Sequence, residues 1–387
     1  MNWKLNESNF TWKDRLKICK FFLTKKNMWT MGDQVEKYEE AMREFVGCKH
    51  AVFVSSGSTA NTLLAMYLKD RVYTPEKKLV VFPSTTWITS VSPFMREGFT
   101  PKFIDISMTD LSMDLVALEK YIKRNKNKIA AVFVTSLLGF VPNISKLIQL
   151  ASTYNVKIML DNCENTLGSC GNKNVSAFFT STTSTYFGHQ LQSVEGGFIF
   201  TNNQQEYEYF LMARNHGMVR GLKENKPVYA NLGVDARFDF NLLGNNFRNT
   251  NINAFIGLLD LKRVAFYTKE RKRLYSLFYN KIINGFRCVT IFMRTAPQQD
   301  VPFCIPLVFN TVELCKKAKD YCDKNNIECR PIVSGNLLRQ TCLRGLSRPS
   351  NFPVSEKIHY RGLYVGLHSK VKEKDITALA DYINYLK

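Results

Sequence analysis

Short apolar runs rich in β-branched and aromatic residues alternate with amphipathic segments of helical length over residues 50–160. His50 to Val54 is followed by a helical stretch through Leu68, Lys78 to Phe82 by a helix starting near Thr85, and Pro101 to Ile106 by a helix over Met113 to Arg124. Ile129 to Thr135, a helix around Ile144 to Thr153 and the run Val156 to Leu160 continue the alternation. Strands buried on both faces give continuous apolar runs, and strands joined through helices pair in parallel. The pattern predicts an α/β fold with a largely parallel sheet covered on both sides. An amphipathic helix over Met31 to Phe45, closed near Gly47, precedes the first strand, and Phe198 to Thr201 is a further strand. Beyond Gln205 the pattern loosens into a Gly/Asn-rich turn, an apolar helix before Val264 and a long basic helix over Glu270 to Ile283. A second α/β pattern follows: strand Phe303 to Phe309, helix Val312 to Lys324, strand Ile327 to Pro331 and helix Lys374 to Tyr385. The expected division is a large domain over residues 1–250, including an N-terminal helical segment, and a small domain over 251–387.

Composition narrows the function classes. Of the 387 residues, 45% are hydrophobic and spread along the whole chain, which suits a substantial core and excludes disorder as its main character. No stretch approaches the ~20 uninterrupted apolar residues of a membrane span. Met1 to Lys20 is polar and charged, unlike a secretory leader, so a soluble, cytoplasmic protein without a membrane partner is expected. The net charge of +20 is scattered rather than gathered in one tail. Its densest run, Lys120 to Lys128, closes the Met113 helix, where cations complement the negative helix end. A solvated surface is therefore expected, not a nucleic-acid site. The ten cysteines contain no CxxC pair, and the most regular spacing is Cys315, Cys322 and Cys329. Reduced thiols and no metal site are expected.

Three segments could carry chemistry. Ser55-Ser-Gly-Ser-Thr-Ala-Asn61 joins a strand to a helix, where amides and hydroxyls make an anion cradle, or simply a helix cap. It contains no GKS/T and no GxGxxG, so neither an ATP loop nor a dinucleotide site is expected. Asp161-Asn-Cys-Glu164 follows the strand ending at Leu160, and an acid at the C-terminal tip of a parallel strand is either a functional group or an N-cap. His189 lies in a polar stretch ahead of Glu195-Gly196-Gly197, as a loop base of near-neutral pKa or a surface histidine.

Together with other segments these carry a resemblance over Met31 to His368. The segments are Met31-Gly-Asp-Gln-Val-Glu-Lys-Tyr-Glu39, Val54 to Asn61, Pro83-Ser-Thr-Thr-Trp87, Asp161 to Gly168, Arg214-Asn-His-Gly217, Gly244-Asn-Asn246-Phe-Arg248-Asn-Thr, Glu328-Cys-Arg-Pro-Ile-Val-Ser-Gly-Asn336 and Tyr364-Val-Gly-Leu-His368. The chain resembles the DegT/DnrJ family of pyridoxal-phosphate sugar aminotransferases, within the fold-type I aspartate aminotransferase superfamily. The resemblance implies a fold-type I architecture, with a large, mixed but mostly parallel sheet domain and a smaller C-terminal α/β domain.

One departure matters. Six residues before Glu195 the aminotransferases carry a lysine that forms a Schiff base with the cofactor; here it is His189. Imidazole lacks a primary amine and cannot make that bond, but it can move a proton. The family's sugar 3-dehydratases, which act on nucleotide-linked 4-keto-6-deoxyhexoses, also carry histidine there. Within them the sequence, including the Glu328 to Asn336 segment, is most similar to enzymes using a GDP-linked 4-keto-6-deoxy-mannose. A related branch holds an iron–sulfur cluster through clustered cysteines, and residues 217–253 contain none.

The resemblance implies pyridoxal 5'-phosphate or pyridoxamine 5'-phosphate as cofactor and L-glutamate as amino donor. Gly57, Ser58, Thr59 and Ser184 would bind the cofactor phosphate, with Asn246 reaching it from the partner of a homodimer. Trp87 would stack on the ring, although it also fits a core aromatic. Asp161 would hold the ring nitrogen, Glu164 would sit near the ring hydroxyl, and His189 would be the general base of a C3 deoxygenation. His216, Arg220 and Arg248 would contact the nucleotide sugar, and Arg330 the donor carboxylate. The alternatives are an aminotransferase working without the lysine and a catalytically silent relative.

Overall fold

The computed structural model describes residues 1–8, 10–24, 28–222, 233, 235, 238–282, 287–290, 292 and 298–386. The alternating segments build one seven-stranded sheet. Its strands are β1 (His50–Val54), β2 (Leu79–Pro83), β3 (Thr100–Ile104), β4 (Ile129–Thr135), β5 (Ile158–Asp161), β6 (Thr180–Ser184) and β7 (Gly197–Thr201). The order is β1-β7-β6-β5-β4-β2-β3. β7 runs antiparallel to both β1 and β6, and the remaining pairs are parallel. The sheet is therefore mixed but mostly parallel, as the apolar runs predict.

Side chains alternate across each strand, so the runs feed two cores. On one face Phe82, Phe133 and Met159 pack with Leu63 and Leu64 of α3 (Gly57–Arg71) and Phe210 of α7 (Gln204–Arg214). On the other, Val81, Val132 and Val134 meet Leu118 and Ile122 of α5 (Leu115–Asn125) and Leu147 and Leu150 of α6 (Ile144–Tyr154). Tyr38 and Met42 of α2 (Asp33–Val46) close the β1–β7 end against Phe53 and Phe198, together with Ala254 of α8 (Asn251–Leu261). Gly47 ends α2 in the left-handed region at φ 74°, where glycine meets no Cβ penalty.

The second α/β pattern forms a four-stranded antiparallel sheet, β8 (Val289–Thr290), β9 (Cys304–Phe309), β10 (Cys329–Pro331) and β11 (Gly362–Gly366), in the order β8-β9-β11-β10. Its core joins the second half of α9 (Val264–Lys281) to α10 (Val312–Lys324) and α12 (Glu373–Tyr385).

Several elements differ from expectation. The helix expected near Thr85 is only a 3₁₀ turn, Ile88–Ser90, and five-residue α4, Ser92–Arg96. The hydroxyls before it are bound elsewhere: Thr86 pairs with Thr135 at 2.8 Å, and Ser84 and Thr85 with Ser355 at 2.6 and 2.8 Å. The chain after Gln205 is helical, because α7 is buried nearly all round and so lacks the periodicity of an amphipathic helix. α9 begins at Val264 rather than Glu270; Ile283, the expected end, lies outside the described residues. β11 and α11 (Pro353–Arg361) carried no clear sequence pattern. α1 (Trp12–Leu23) is the N-terminal helical segment. Ahead of it, Trp3 lies beside Ile327, donating to the Asn326 carbonyl at 3.0 Å and through its indole to the Gly366 carbonyl at 2.9 Å. Among the described residues no helix is long and apolar enough to cross a membrane.

Candidate active site

The start of α3 and the C-terminal ends of β5 and β6 meet at one place. Ser56 caps α3, its hydroxyl accepting from the Thr59 amide at 3.1 Å, while the Thr59 hydroxyl accepts from the Ser56 amide at 2.9 Å. This reciprocal box satisfies one first-turn amide and leaves those of Gly57 and Ser58 without an intrahelical acceptor. The cap and the anion cradle are thus compatible. Thr59 itself is spent on the cap, and the Ser58 hydroxyl donates to Thr89 at 2.9 Å. A Cβ on Gly57 would lie 2.7 Å from Cys163 Sγ and 3.0 Å from Ser184 Cβ. One on Gly197 would lie 2.4 Å from the Ser56 carbonyl carbon. Both glycines let backbone and neighbours close into a narrow pocket edge beside Ser184.

Asp161 ends β5 and is 3% exposed. One carboxylate oxygen accepts from Ser90 at 2.6 Å and Asn61 at 3.0 Å, and the other from the Cys163 amide at 3.1 Å. Asn61 is fixed in turn by the Thr182 hydroxyl at 2.7 Å. All these donors are neutral, and Asp161 has no ion pair among the described residues. A buried carboxylate held this way is a seat for a cation.

Glu164 follows one turn later. Its carboxylate accepts from the Leu138 amide at 2.9 Å, and Leu138 holds a left-handed backbone at φ 53°. Enclosure pushes the carboxyl up to about 7; the Leu138 amide opposes this and the Asp161 charge adds to it. Glu164 nonetheless keeps some solvent contact.

His189 sits in the loop between β6 and β7, its amide bonded to the Tyr186 carbonyl at 2.9 Å. The ring lies 5.7 Å from Phe303 and 6.2 Å from Tyr186, centroid to centroid. Its Nδ1 is buried with no partner among the described residues. Burial pulls the imidazole down to about 4; the Asp161 charge and the Cys163 backbone favour its cation, and Arg271 disfavours it. At neutral pH this is an uncharged ring with a free nitrogen, as a base requires.

The remaining predicted residues are spread more widely. Trp87 is 56% exposed, which excludes the core-aromatic alternative. Thr86 beside it receives the Ser334 hydroxyl on its carbonyl at 2.8 Å. Asn246 is exposed and pairs with Asn215, to whose side chain Arg248 donates at 2.6 Å. His216 stands at φ 62°, where the chain crosses residues 242–245. That crossing requires Gly217, whose Cβ would lie 1.8 Å from the Leu242 carbonyl oxygen. The side chain of Arg220 lies outside the described residues. Arg330 is exposed on β10, opposite Tyr364. It lines a cleft of about 540 Å³ with Met1 to Lys4 and Glu328. Burial raises the Tyr364 hydroxyl, the charges of Cys304 and Glu164 add to that, and Arg330 counters it.

The fold thus gathers Gly57, Ser58, Asp161, Glu164, Ser184 and His189, while Arg330 lines the cleft beside the N-terminal segment. Sequence reasoning did not single out Asn61, Ser90 and Thr182, which hold Asp161, nor Leu138, Arg271 and Phe303. Only Asn61 left a signal, a polar residue on the buried side of α3 between Ala60 and Leu64. An anion cradle, an uncompensated buried carboxylate and an exposed indole together fit a phosphorylated, cationic aromatic ring.

Comparison with known proteins agrees with this chemistry. The chain is 28% identical over 387 residues to a GDP-4-keto-6-deoxy-D-mannose 3-dehydratase of Escherichia coli O55:H7, covering 97% of both proteins. It superposes with a TM-score of 0.90 on an E. coli GDP-4-keto-6-deoxy-D-mannose-3-dehydratase with bound hydrated PLP, 26% identical and covering 100% of both chains. A GDP-4-keto-6-deoxymannose-3-dehydratase with a trapped PLP-glutamate geminal diamine gives 0.89 at 26% identity, again covering 100% of both. The profile of the DegT/DnrJ/EryC1/StrS aminotransferase family matches residues 17–384, and the chain belongs to that family.

Proposed function

We propose that the chain is a pyridoxal/pyridoxamine-phosphate- and L-glutamate-dependent 3-dehydratase of a nucleotide-linked 4-keto-6-deoxyhexose, with GDP-4-keto-6-deoxy-mannose as substrate. The observation that carries it is His189, a neutral imidazole with an unpartnered Nδ1 at the position where the family's aminotransferases carry lysine. The Gly57 and Ser58 amides and Ser184 hold the cofactor phosphate, with Thr59 shaping the turn and Asn246 supplied by the partner of a homodimer. Trp87 covers the ring and Asp161 keeps its nitrogen protonated. When bound, the cofactor supplies an electron sink for a carbanion. Glu164, with its raised pKa, would hold a proton beside the ring hydroxyl. His189 would be the base that moves a proton for loss of the sugar's C3 hydroxyl. His216, Arg220 and Arg248 contact the sugar nucleotide, and Arg330 the glutamate carboxylate through its planar fork.

The reaction balances. Glutamate loses two electrons and its amine, giving 2-oxoglutarate and ammonia. The sugar gains those electrons and loses its C3 oxygen as water, which offsets the water used in releasing ammonia. The domains are taken as 1–250 and 251–387, the compartment as the cytoplasm, and no nucleic acid or membrane takes part.

The test is to supply cofactor, L-glutamate and GDP-4-keto-6-deoxy-mannose to the purified protein. Ammonia, 2-oxoglutarate and a 3-deoxy sugar are expected in equal amounts. An amino sugar that keeps its C3 oxygen, or a lysine labelled by borohydride, overturns the reading. H189A is expected to lower turnover by about 10²–10⁴-fold while cofactor absorbance on binding is retained.

A further inference from the structure

Arg271 lies in a helix segment of solvated charges, Lys269 to Arg273, yet it is 5% exposed. Its Nη1 donates to the Phe303 carbonyl at 2.8 Å, to the Pro302 carbonyl at 3.3 Å and to the Leu367 carbonyl. Among the described residues no carboxylate lies within ion-pair distance of it. Burial pulls the guanidinium down to about 10, with Cys304, Tyr267 and Asp260 pulling back. Burying a cation on neutral carbonyls costs several kcal/mol, so a methionine or leucine would serve the packing better.

The carbonyls it holds are not ordinary ones. The Phe303 amide donates to the Leu138 carbonyl at 2.9 Å, and the Val301 amide to the Gly139 carbonyl at 3.2 Å. Leu138 is the residue whose amide holds Glu164, and the Phe303 ring is the wall beside His189. A Cβ on Gly139 would lie 2.1 Å from the Val301 carbonyl oxygen, so the two loops touch along their backbones. A single guanidinium therefore fixes one loop that lies beside His189 and bonds the residue that holds Glu164.

We infer that Arg271 is a positioning residue for His189, its buried guanidinium clamping the loop that sets Phe303 beside the imidazole. This rests on the reading of His189 as the base. The other groups facing the ring are Asp161 from β5 and the Cys163 backbone after it, which favour the cation, Tyr186 on the same loop, and the apolar face of Phe303. Burial keeps the imidazole neutral although a carboxylate is close, and Arg271 adds a smaller opposing charge from α9.

The chain has only five histidines, so ring-labelled protein without cofactor gives a resolvable titration by NMR, with the His189 signal identified by its loss in H189Q. R271Q keeps a donor for the carbonyls and removes the charge. Its His189 midpoint is expected to rise by about half a unit or more, and the acid limb of kcat/KM to rise with it. R271K, which keeps the charge, is expected to titrate as the wild type does. A folded R271Q with an unmoved midpoint, or an R271K that shifts as far as R271Q, overturns the assignment. Should R271Q fail to fold, F303L decides: loosening the wall admits water and must raise the midpoint, and an unchanged midpoint overturns the assignment. The titration needs no substrate, so a protein that shifts as expected but lacks dehydratase activity defeats the proposed function and leaves this assignment standing.

Discussion

At the scale of single residues, the site works by setting neighbouring groups against their ordinary protonation. Enclosure, with the Asp161 charge added to it, leaves Glu164 reluctant to ionise, while the Asp161 carboxylate accepts from three neutral donors. His189 is pressed the other way by burial. Asp161 bonds the Cys163 amide as a turn acid does and also accepts from Asn61 and Ser90, but no helix begins at it to be capped. Glu164 gives a pH signature. Its folded pKa, about 7, lies above its ordinary 4.5, so the native state binds more protons between these values. Relative to E164Q, the cofactor-free wild type should hold its stability below pH 4.5 and lose it as pH rises through about 7. The difference should be about 1–2 kcal/mol, reduced because the carboxyl still meets solvent. Thermal melts of both proteins between pH 5 and 8 check this, and parallel curves would contradict it.

At the scale of elements, the strand-to-helix turn at residues 55–59 depends on two glycines with different neighbours. A methyl on Gly57 meets side chains, Cys163 Sγ and Ser184 Cβ, which can give way. On Gly197 it meets Ser56 and Gly57 backbone, which cannot. G57A should therefore fold while binding pyridoxal phosphate about tenfold more weakly, as Ser184 is displaced. G197A should lose about 1–3 kcal/mol or more of stability. Cofactor titration and thermal melts of the two variants separate these outcomes, and a G197A as stable as G57A would sink the distinction. The same local logic explains the missing helix near Thr85. Hydroxyls there are recruited by Thr135 and Ser355 across the fold, so helix propensity has no say.

At the scale of the whole molecule, the N-terminal segment ties distant parts together. Trp3 is 2% exposed and bonds Gly366, Leu5 donates to Glu328 at 2.9 Å, and Asn6 donates to the Phe187 carbonyl, two residues from His189. Gly366 is required there, since its Cβ would lie 2.4 Å from the Lys4 carbonyl oxygen. W3A should lose about 3–5 kcal/mol, as emptied tryptophan sites do. A denaturant midpoint unchanged from wild type would show that the segment is dispensable.

Much of this was legible in the chain itself. Apolar runs of strand length between amphipathic helices dictate a parallel sheet covered on both sides, because buried strands must be apolar throughout. The Ser/Gly turn, the acid after β5 and the histidine in place of lysine are local facts of type and spacing, and they marked the cradle, Asp161 and the base. What the tertiary structure alone decided is whatever depends on distant residues meeting. Asn61 reaching Asp161 from the start of α3, and Arg271 turning inward from a helix of solvated charges, leave no period or motif in one dimension. Protonation behaves likewise: the side-chain type sets where a carboxyl or imidazole starts, and only enclosure and neighbouring charge, both products of folding, move Glu164 up and His189 down.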